Sequence, residues 1–159
     1  MTWTVMPSPV GDLRLVADDD ALVAIEFAPW RDDARPLGAR DDAHPVLAEA
    51  ARQLSAYFAR ELRDFDLPLA PVGTDFQQRV WKELALIPYG ETTSYGDIAR
   101  RLGHTNAASR AVGLANGRNP IPIVVPCHRV VGADGSLTGY AGGMDRKQLL
   151  IGLEQEALF

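Results

Sequence analysis

Residues 119–131 read Asn-Pro-Ile-Pro-Ile-Val-Val-Pro-Cys-His-Arg-Val-Val and hold the chain's single cysteine, Cys127, between a proline and a histidine. Pro126 fixes its own φ and biases Val125 toward extended backbone, so the approach to Cys127 is stiff. Val130 and Val131 then resume a strand-like run. A lone cysteine is often an inert core residue. These flanks favour a reactive thiol instead: His128 offers a base, Arg129 a fixed positive charge, and the thiolate is the nucleophilic form.

The composition, with 47% hydrophobic and 23% charged residues in 159, fits one domain or two small subdomains. No apolar run approaches the ~20 residues that span a bilayer. No basic start followed by an apolar segment marks a signal peptide. A single cysteine excludes an internal disulfide and a multi-cysteine zinc site, and points to a reducing cytoplasm. The net charge of -5 is unevenly spread. Residues 1–75 carry seven Arg and fourteen acids, residues 76–131 seven basic residues and three acids, and residues 132–159 two basic residues and four acids. The cysteine-bearing segment is therefore the basic one, as a site that meets a polyanion requires.

Working outward, Trp3 to Met6, Leu13 to Ala17 and Leu22 to Phe27 read as short antiparallel strands, separated by turn-like Pro9-Val10-Gly11-Asp12 and Asp18-Asp19-Asp20. Residues 29–44 read as an exposed loop. From Pro45, Leu47, Ala51, Leu54, Phe58 and Leu62 share one face at helical spacing. Residues 64–74, with Pro68, Pro71 and Gly73, read as a linker, which divides the chain into units 1–74 and 75–159. Thr74 and Gln77 form a capping-box pattern before a helix with the stripe Phe76, Val80, Leu84 and Ile87. Ser94 caps a helix from Tyr95 to Leu102 that Gly103 ends, and Ala107 to Asn116 forms another, closed by Gly117. Two short helices around a glycine-containing turn are compatible with a helix-turn-helix, and equally with any helical hairpin. Residues 132–143 hold five glycines and read as a loop; Asp145 caps a last helix with Leu149, Leu150 and Leu153 facing inward.

These motifs together resemble one family, the O6-alkylguanine-DNA alkyltransferases. The likeness rests on Pro126-Cys127-His128-Arg129-Val130, on Pro88-Tyr89-Gly90-Glu91-Thr92 with Ser94-Tyr95-Gly96, on Arg110-Ala111-Val112-Gly113, and on Gly139-Tyr140 to Gly143 with Arg146-Lys147. It runs nearly continuously from about residue 75 to the end; over residues 1–74 it is one of layout only. The resemblance implies an α/β (α+β) fold, with a ribonuclease-H-like N-terminal antiparallel sheet plus helix. The C-terminal subdomain would be mostly helical and carry a helix-turn-helix and the active-site cysteine.

The resemblance also implies direct-reversal repair: Cys127 takes the alkyl group from O6 of a guanine in duplex DNA, irreversibly and once, with O4-alkylthymine a second candidate lesion. His128 would serve as base, directly or through a water, Glu154 would orient it, and Tyr95 would donate a proton to the departing base. Base extrusion would be supported by Arg110 as a finger, with Ala107, Ala108, Ala111 and Gly113 allowing close approach to the minor groove, and Thr93 and Ser94 among the DNA contacts. Asn119 would tie the recognition helix to the cysteine loop, Arg129 would bridge elements behind the site, and Pro126, Val130, Tyr140, Ala141 and Gly142 would shape the pocket. No metal or organic cofactor and no membrane partner are implied; the protein would be a cytoplasmic monomer able to cluster along DNA, in the short, stand-alone form.

Three departures stand out. Ala141 replaces a serine of some members, and Gly103-His104-Thr105-Asn106-Ala107 makes the turn one residue longer. With only His44 and no cysteine in the N-terminal half, the structural zinc of some members is not expected. Three rival readings remain: a lesion-binding relative, which would lack the cysteine; a helix-turn-helix regulator, which leaves the Cys-His-Arg run unexplained; and a cysteine hydrolase. Adjacent Cys and His in extended chain point to opposite sides, which disfavours the hydrolase.

Overall fold

Three apolar segments bounded by turn residues form the antiparallel strands that the sequence predicts. The computed structural model describes residues 1–30 and 37–156. The chain divides into two compact units, Met1–Val72 and Gly73–Phe159.

In the first unit, β1 (Thr2–Met6), β2 (Leu13–Ala17) and β3 (Leu22–Phe27) pair antiparallel, with Met6 opposite Leu13 and Leu13 opposite Phe27. The β1–β2 turn closes at Gly11 (φ 95°), whose N–H donates to Ser8 O. The β2–β3 turn closes where Asp18 Oδ1 accepts from the N–H groups of Asp20 and Ala21. Every residue of β2, the middle strand of the three, is buried. Its one charged side chain, Arg14, is answered by the cross-strand Glu26 at 2.8 Å and stacks over Trp30. A two-residue strand, β4 (Ala39–Arg40), adds parallel to β1. That edge was not anticipated, because two exposed residues carry no apolar pattern. Residues 31–36 of the expected 29–44 loop lie outside the described residues.

Helix α1 (Pro45–Phe58) starts with proline in its first turn, as expected, and His44 Nδ1 accepts from Val46 N. Its buried face is Leu47, Ala50, Gln53, Leu54 and Tyr57, so the expected stripe is correct at Leu47 and Leu54 only. The helix ends at Phe58 and Arg60 takes φ 62°, which leaves Leu62 beyond it. Gln53 tolerates 4% exposure because its amide donates to Asp66 O and accepts from Asp66 N, both at 2.9 Å. Segment 64–74 is accordingly more than a linker: Leu22 donates to Pro68 O and accepts from Ala70 N, a parallel bridge at the β3 edge.

In the second unit, α2 (Asp75–Leu84) opens on the predicted reciprocal cap between Thr74 and Gln77. Val80, Trp81, Leu84 and Ile87 are buried, whereas Phe76 is half-buried against His104. Trp81, which the stripe omitted, donates to Ala115 O at 2.9 Å and so ties α2 to the later helix. β5 (Thr93–Ser94) leads directly into α3 (Tyr95–Arg101), capped by Ser94 Oγ and stopped as expected near Gly103 (φ 82°). The following helix departs from expectation. Asn106–Ala108 form a 3-10 turn, and α4 proper is Ser109–Gly117, with Arg118 after it. Ala107 and Ala108 therefore precede α4, and Gly117 is its last residue rather than its stop. β6 (Val130–Val131) pairs parallel with β5, and α5 (Met144–Glu156) closes the described chain. Asp145 lies inside its first turn, not before it, and Leu149 is exposed while Leu150 and Leu153 are buried.

Candidate active site

The run before Cys127 is a knot of turns, not the strand-like stretch the apolar pattern suggests. Val124 N donates to Pro122 O and Val125 N to Ile121 O, and Ile123 holds φ 74°, an uncommon backbone state for a β-branched residue. Asn119 fixes this shape from within: its Oδ1 accepts from Ile121 N at 3.0 Å and its Nδ2 donates to Val125 O at 2.8 Å. Cys127–Arg129 then form one 3-10 turn, so the expectation of adjacent side chains alternating along a strand fails at this point. Asn116 of α4 adds a longer bond to Cys127 O at 3.4 Å.

Behind the cysteine lies a buried ionic chain. His128 Nε2 and Glu154 Oε2 are 2.6 Å apart, and Arg129 donates to Glu154 through Nε at 2.8 Å and Nη2 at 3.0 Å. The third Arg129 nitrogen donates to Ile87 O at 2.6 Å, and Gly90 N reaches Glu154 Oε1 at 3.3 Å. Burial pushes the Glu154 carboxyl up, but the hydrogen bonds and charges of His128 and Arg129 outweigh it and hold the pKa at about 2. Glu154 is thus an anion that only accepts, so His128 Nε2 must donate and the Nδ1 lone pair is left free. That Nδ1 is buried and has no hydrogen-bond partner among the described residues. Burial, the largest influence on His128, sets its pKa below the usual value of 6.5 despite the Glu154 bond, which leaves a neutral imidazole able to accept a proton.

Cys127 is 4% exposed, and burial pushes its thiol up to about 11. Three neighbours act against burial: the Asn119 amide, the Lys147 charge and the Tyr140 hydroxyl. Lys147 is itself fully buried and donates to Val130 O at 2.6 Å and Thr138 O at 3.0 Å. Burial lowers its pKa from 10.5, while Cys127 acts to raise it. Tyr140 is raised well above its ordinary value, first by burial and then by Cys127.

The β5–β6 pair places the start of α3 beside the cysteine turn, since Thr93 and Ser94 lie opposite Val130 and Val131. The Thr93 and Ser94 hydroxyls are both engaged with Asp97 inside the fold. Tyr95 OH stands 2.6 Å from Thr138 Oγ1, and its ring is the nearest neighbour of a Cβ added at Gly113, 3.8 Å away. Ala107, Arg110 and Ala111 are exposed, as are Leu114 of α4 and Arg118 just after it; Ala108 is half-buried. Pro126 is buried, Ala141 is exposed, and Gly142 O accepts from Arg146 at 3.1 Å.

The structure thus joins Cys127, His128, Arg129, Glu154, Asn119 and Val130 in one buried cluster, with the half-buried Tyr140 beside Cys127, and leaves the Arg110 face open. Sequence reasoning missed Thr138, Asn116 and Trp81, and it used Lys147 only as part of a motif, without a role. Lys147 had a signal, since it falls on the α5 stripe with Leu150, Leu153 and Glu154; Thr138 had none. Among the described residues no cluster of three metal-ligating side chains is present.

Two family models match, "6-O-methylguanine DNA methyltransferase, ribonuclease-like domain" over residues 1–71 and "6-O-methylguanine DNA methyltransferase, DNA binding domain" over residues 75–156. A methylated-DNA–protein-cysteine methyltransferase of Methanosarcina acetivorans is 49% identical over 154 residues, 97% of this chain and 98% of its own length. One from Mycobacterium tuberculosis is 50% identical, across 96% of this chain and 92% of the relative. The crystal structure of Mycobacterium tuberculosis O6-methylguanine methyltransferase superposes with a TM-score of 0.91 at 48% identity, covering 99% of this chain and 94% of that one. A Mycobacterium tuberculosis structure in complex with DNA gives 0.87 over the same coverage. This chain belongs to the 6-O-methylguanine DNA methyltransferase family.

Proposed function

We propose that this protein repairs alkylated DNA by moving the alkyl group from O6 of guanine onto Cys127, once per molecule. The observation that carries the reading is the buried Arg129–Glu154–His128 chain on the turn that begins with Cys127, with a His128 Nδ1 that has no hydrogen-bond partner among the described residues. The thiol proton passes to His128 Nδ1, through a water where the direct path is too long. Glu154, fixed by Arg129, stabilises the imidazolium that forms. The thiolate sulfur then bonds to the alkyl carbon as the carbon–O6 bond breaks, and Tyr95 gives a proton to the guanine that leaves. Burial pushes the Cys127 thiol up to about 11 and holds His128 below its usual value, so this proton transfer is uphill in the resting site. Lys147 supplies part of the compensating field once the thiolate forms, and lesion binding is assigned the rest.

DNA is the partner, bound from the minor-groove side with α3 and α4 acting as a helix-turn-helix. Arg110 fills the gap left by the extruded base, and the protein acts as a monomer able to cluster along DNA in the cytoplasm. Exposed Arg110 on α4 and exposed Arg118 just after it, in the basic segment 76–131, support this docking. No cofactor takes part, and O4-alkylthymine is a second substrate to be assayed. The test is a time course with excess duplex carrying one O6-methylguanine. Guanine restored must stop at one equivalent per protein; continued turnover would favour a hydrolase.

A further inference from the structure

Tyr95 and Thr138 are 43 residues apart in sequence, one at the start of α3 and the other in the glycine-rich loop, yet their hydroxyl oxygens stand 2.6 Å apart. Thr138 is held a second time through its main chain, where Lys147 Nζ donates to its carbonyl at 3.0 Å. The same ammonium donates to Val130 O, three residues beyond the cysteine, and its charge favours the Cys127 thiolate. One threonine therefore touches the tyrosine on the departing-base side and the lysine on the thiol side. Residues 132–136 of this loop close a turn of their own, with Gly132 N donating to Ser136 O and Ser136 N to Asp134 Oδ1, whereas 137–140 have no regular secondary structure. A fully buried lysine that spends one of its two hydrogen bonds on such a segment, the other going to Val130 in β6, needs a reason beyond loop shape.

We propose that Thr138 is a positioning residue for the proton-delivery step. Its hydroxyl donates to the Tyr95 oxygen, which leaves the single phenolic proton to point at the departing guanine. The alternative direction would occupy that proton on Thr138, since a phenol has one to give. Accepting a hydrogen bond also polarises the phenol and makes its O–H a stronger donor. Lys147, by gripping the Thr138 carbonyl, keeps the hydroxyl at this station. During transfer the sulfur–carbon bond forms as the carbon–O6 bond breaks, and the electron pair of that bond passes to guanine. Guanine then takes the Tyr95 proton, and Tyr95 regains one from solvent water, while Thr138 exchanges no atom.

This inference rests on the reading of Tyr95 as proton donor, and the experiment separates the two. Thr138→Val removes the hydroxyl and keeps the shape, Thr138→Ser keeps the hydroxyl, and Thr138→Ala repeats the deletion without β-branching. Transfer from an O6-methylguanine duplex, and from free O6-benzylguanine, should slow about tenfold in the valine and alanine variants, the size of one lost hydrogen bond. The serine variant should recover the wild-type rate. Alkylation of Cys127 by iodoacetamide, which expels iodide and requires no protonated leaving group, should stay at the wild-type rate in all three. In a Tyr95→Phe background, Thr138→Val should add no further loss. Wild-type transfer in Thr138→Val, equal losses in transfer and iodoacetamide alkylation, or additive losses with Tyr95→Phe would each overturn the inference. Tyr95→Phe at the wild-type transfer rate would instead remove the donor reading, and the Thr138 role with it.

Discussion

Replacing Glu154 by Gln removes one buried negative charge while keeping the side chain's length and shape. In the native protein that carboxylate accepts from His128, twice from Arg129 and from Gly90, and His128 and Arg129 outweigh burial to hold its pKa at about 2 against an ordinary 4.5. The gap corresponds to about 3 kcal/mol of interaction that favours the ionised form. Arg129 and His128 share that figure, and two consequences follow. The His128 imidazolium loses its counter-charge, so alkylation of Cys127 by iodoacetamide at neutral pH should fall by roughly tenfold or more. Arg129 is also left buried without its anion, which should destabilise the fold by about 3–5 kcal/mol in urea denaturation at pH 7. The pH dependence separates charge from shape. The folded pKa of Glu154 lies below the unfolded one, so its stabilisation is complete above pH 4.5 and is lost as pH falls from there through about 2. His128 acts with the same sign at higher pH: burial holds its folded pKa below 6.5, so stability also declines as pH drops beneath that value. The stability difference between wild type and Glu154→Gln should therefore be present at neutrality and shrink between pH 4.5 and 2. A folded Glu154→Gln protein with the wild-type alkylation rate across pH would refute the relay. A stability difference constant from pH 7 to pH 2 would refute its electrostatic origin.

Arg110→Ala should weaken repair of duplex lesions by at least tenfold while leaving reaction with free O6-benzylguanine within about twofold, since only the duplex leaves a gap to fill; equal losses in both would remove the finger role. Lys147→Met keeps the stem and deletes the charge beside Cys127, so the iodoacetamide rate–pH profile should move to higher pH with about a tenfold loss at neutrality. An unmoved profile would make Lys147 a purely structural tether of Val130 and Thr138.

What the sequence made legible was local. Strands β1 to β3 were readable because each apolar run is bounded by its own turn residues, and both the α2 cap and the Ser94 cap are complete within four residues. Failures came where distant groups decide. The α1 face includes Gln53 because Asp66 answers both ends of its amide, and segment 64–74 is ordered by a bridge to Leu22. The approach to Cys127 reads as strand because Ile and Val dominate it, yet the Asn119 side chain folds it into turns. Glu154 and Tyr95 were reachable through the family resemblance, whereas the Tyr95–Thr138 and Lys147–Val130 bonds join residues with no shared periodicity.

The most direct measurement is the intact mass of the protein after incubation with a duplex containing one O6-methylguanine, beside Cys127→Ser. Transfer to Cys127 requires the mass of one methyl group added to the wild type alone, mapped to the peptide that carries Cys127, with guanine restored in the DNA. An unchanged mass in a protein that binds the lesion tightly would contradict it and leave Cys127 a residue that merely lines the pocket.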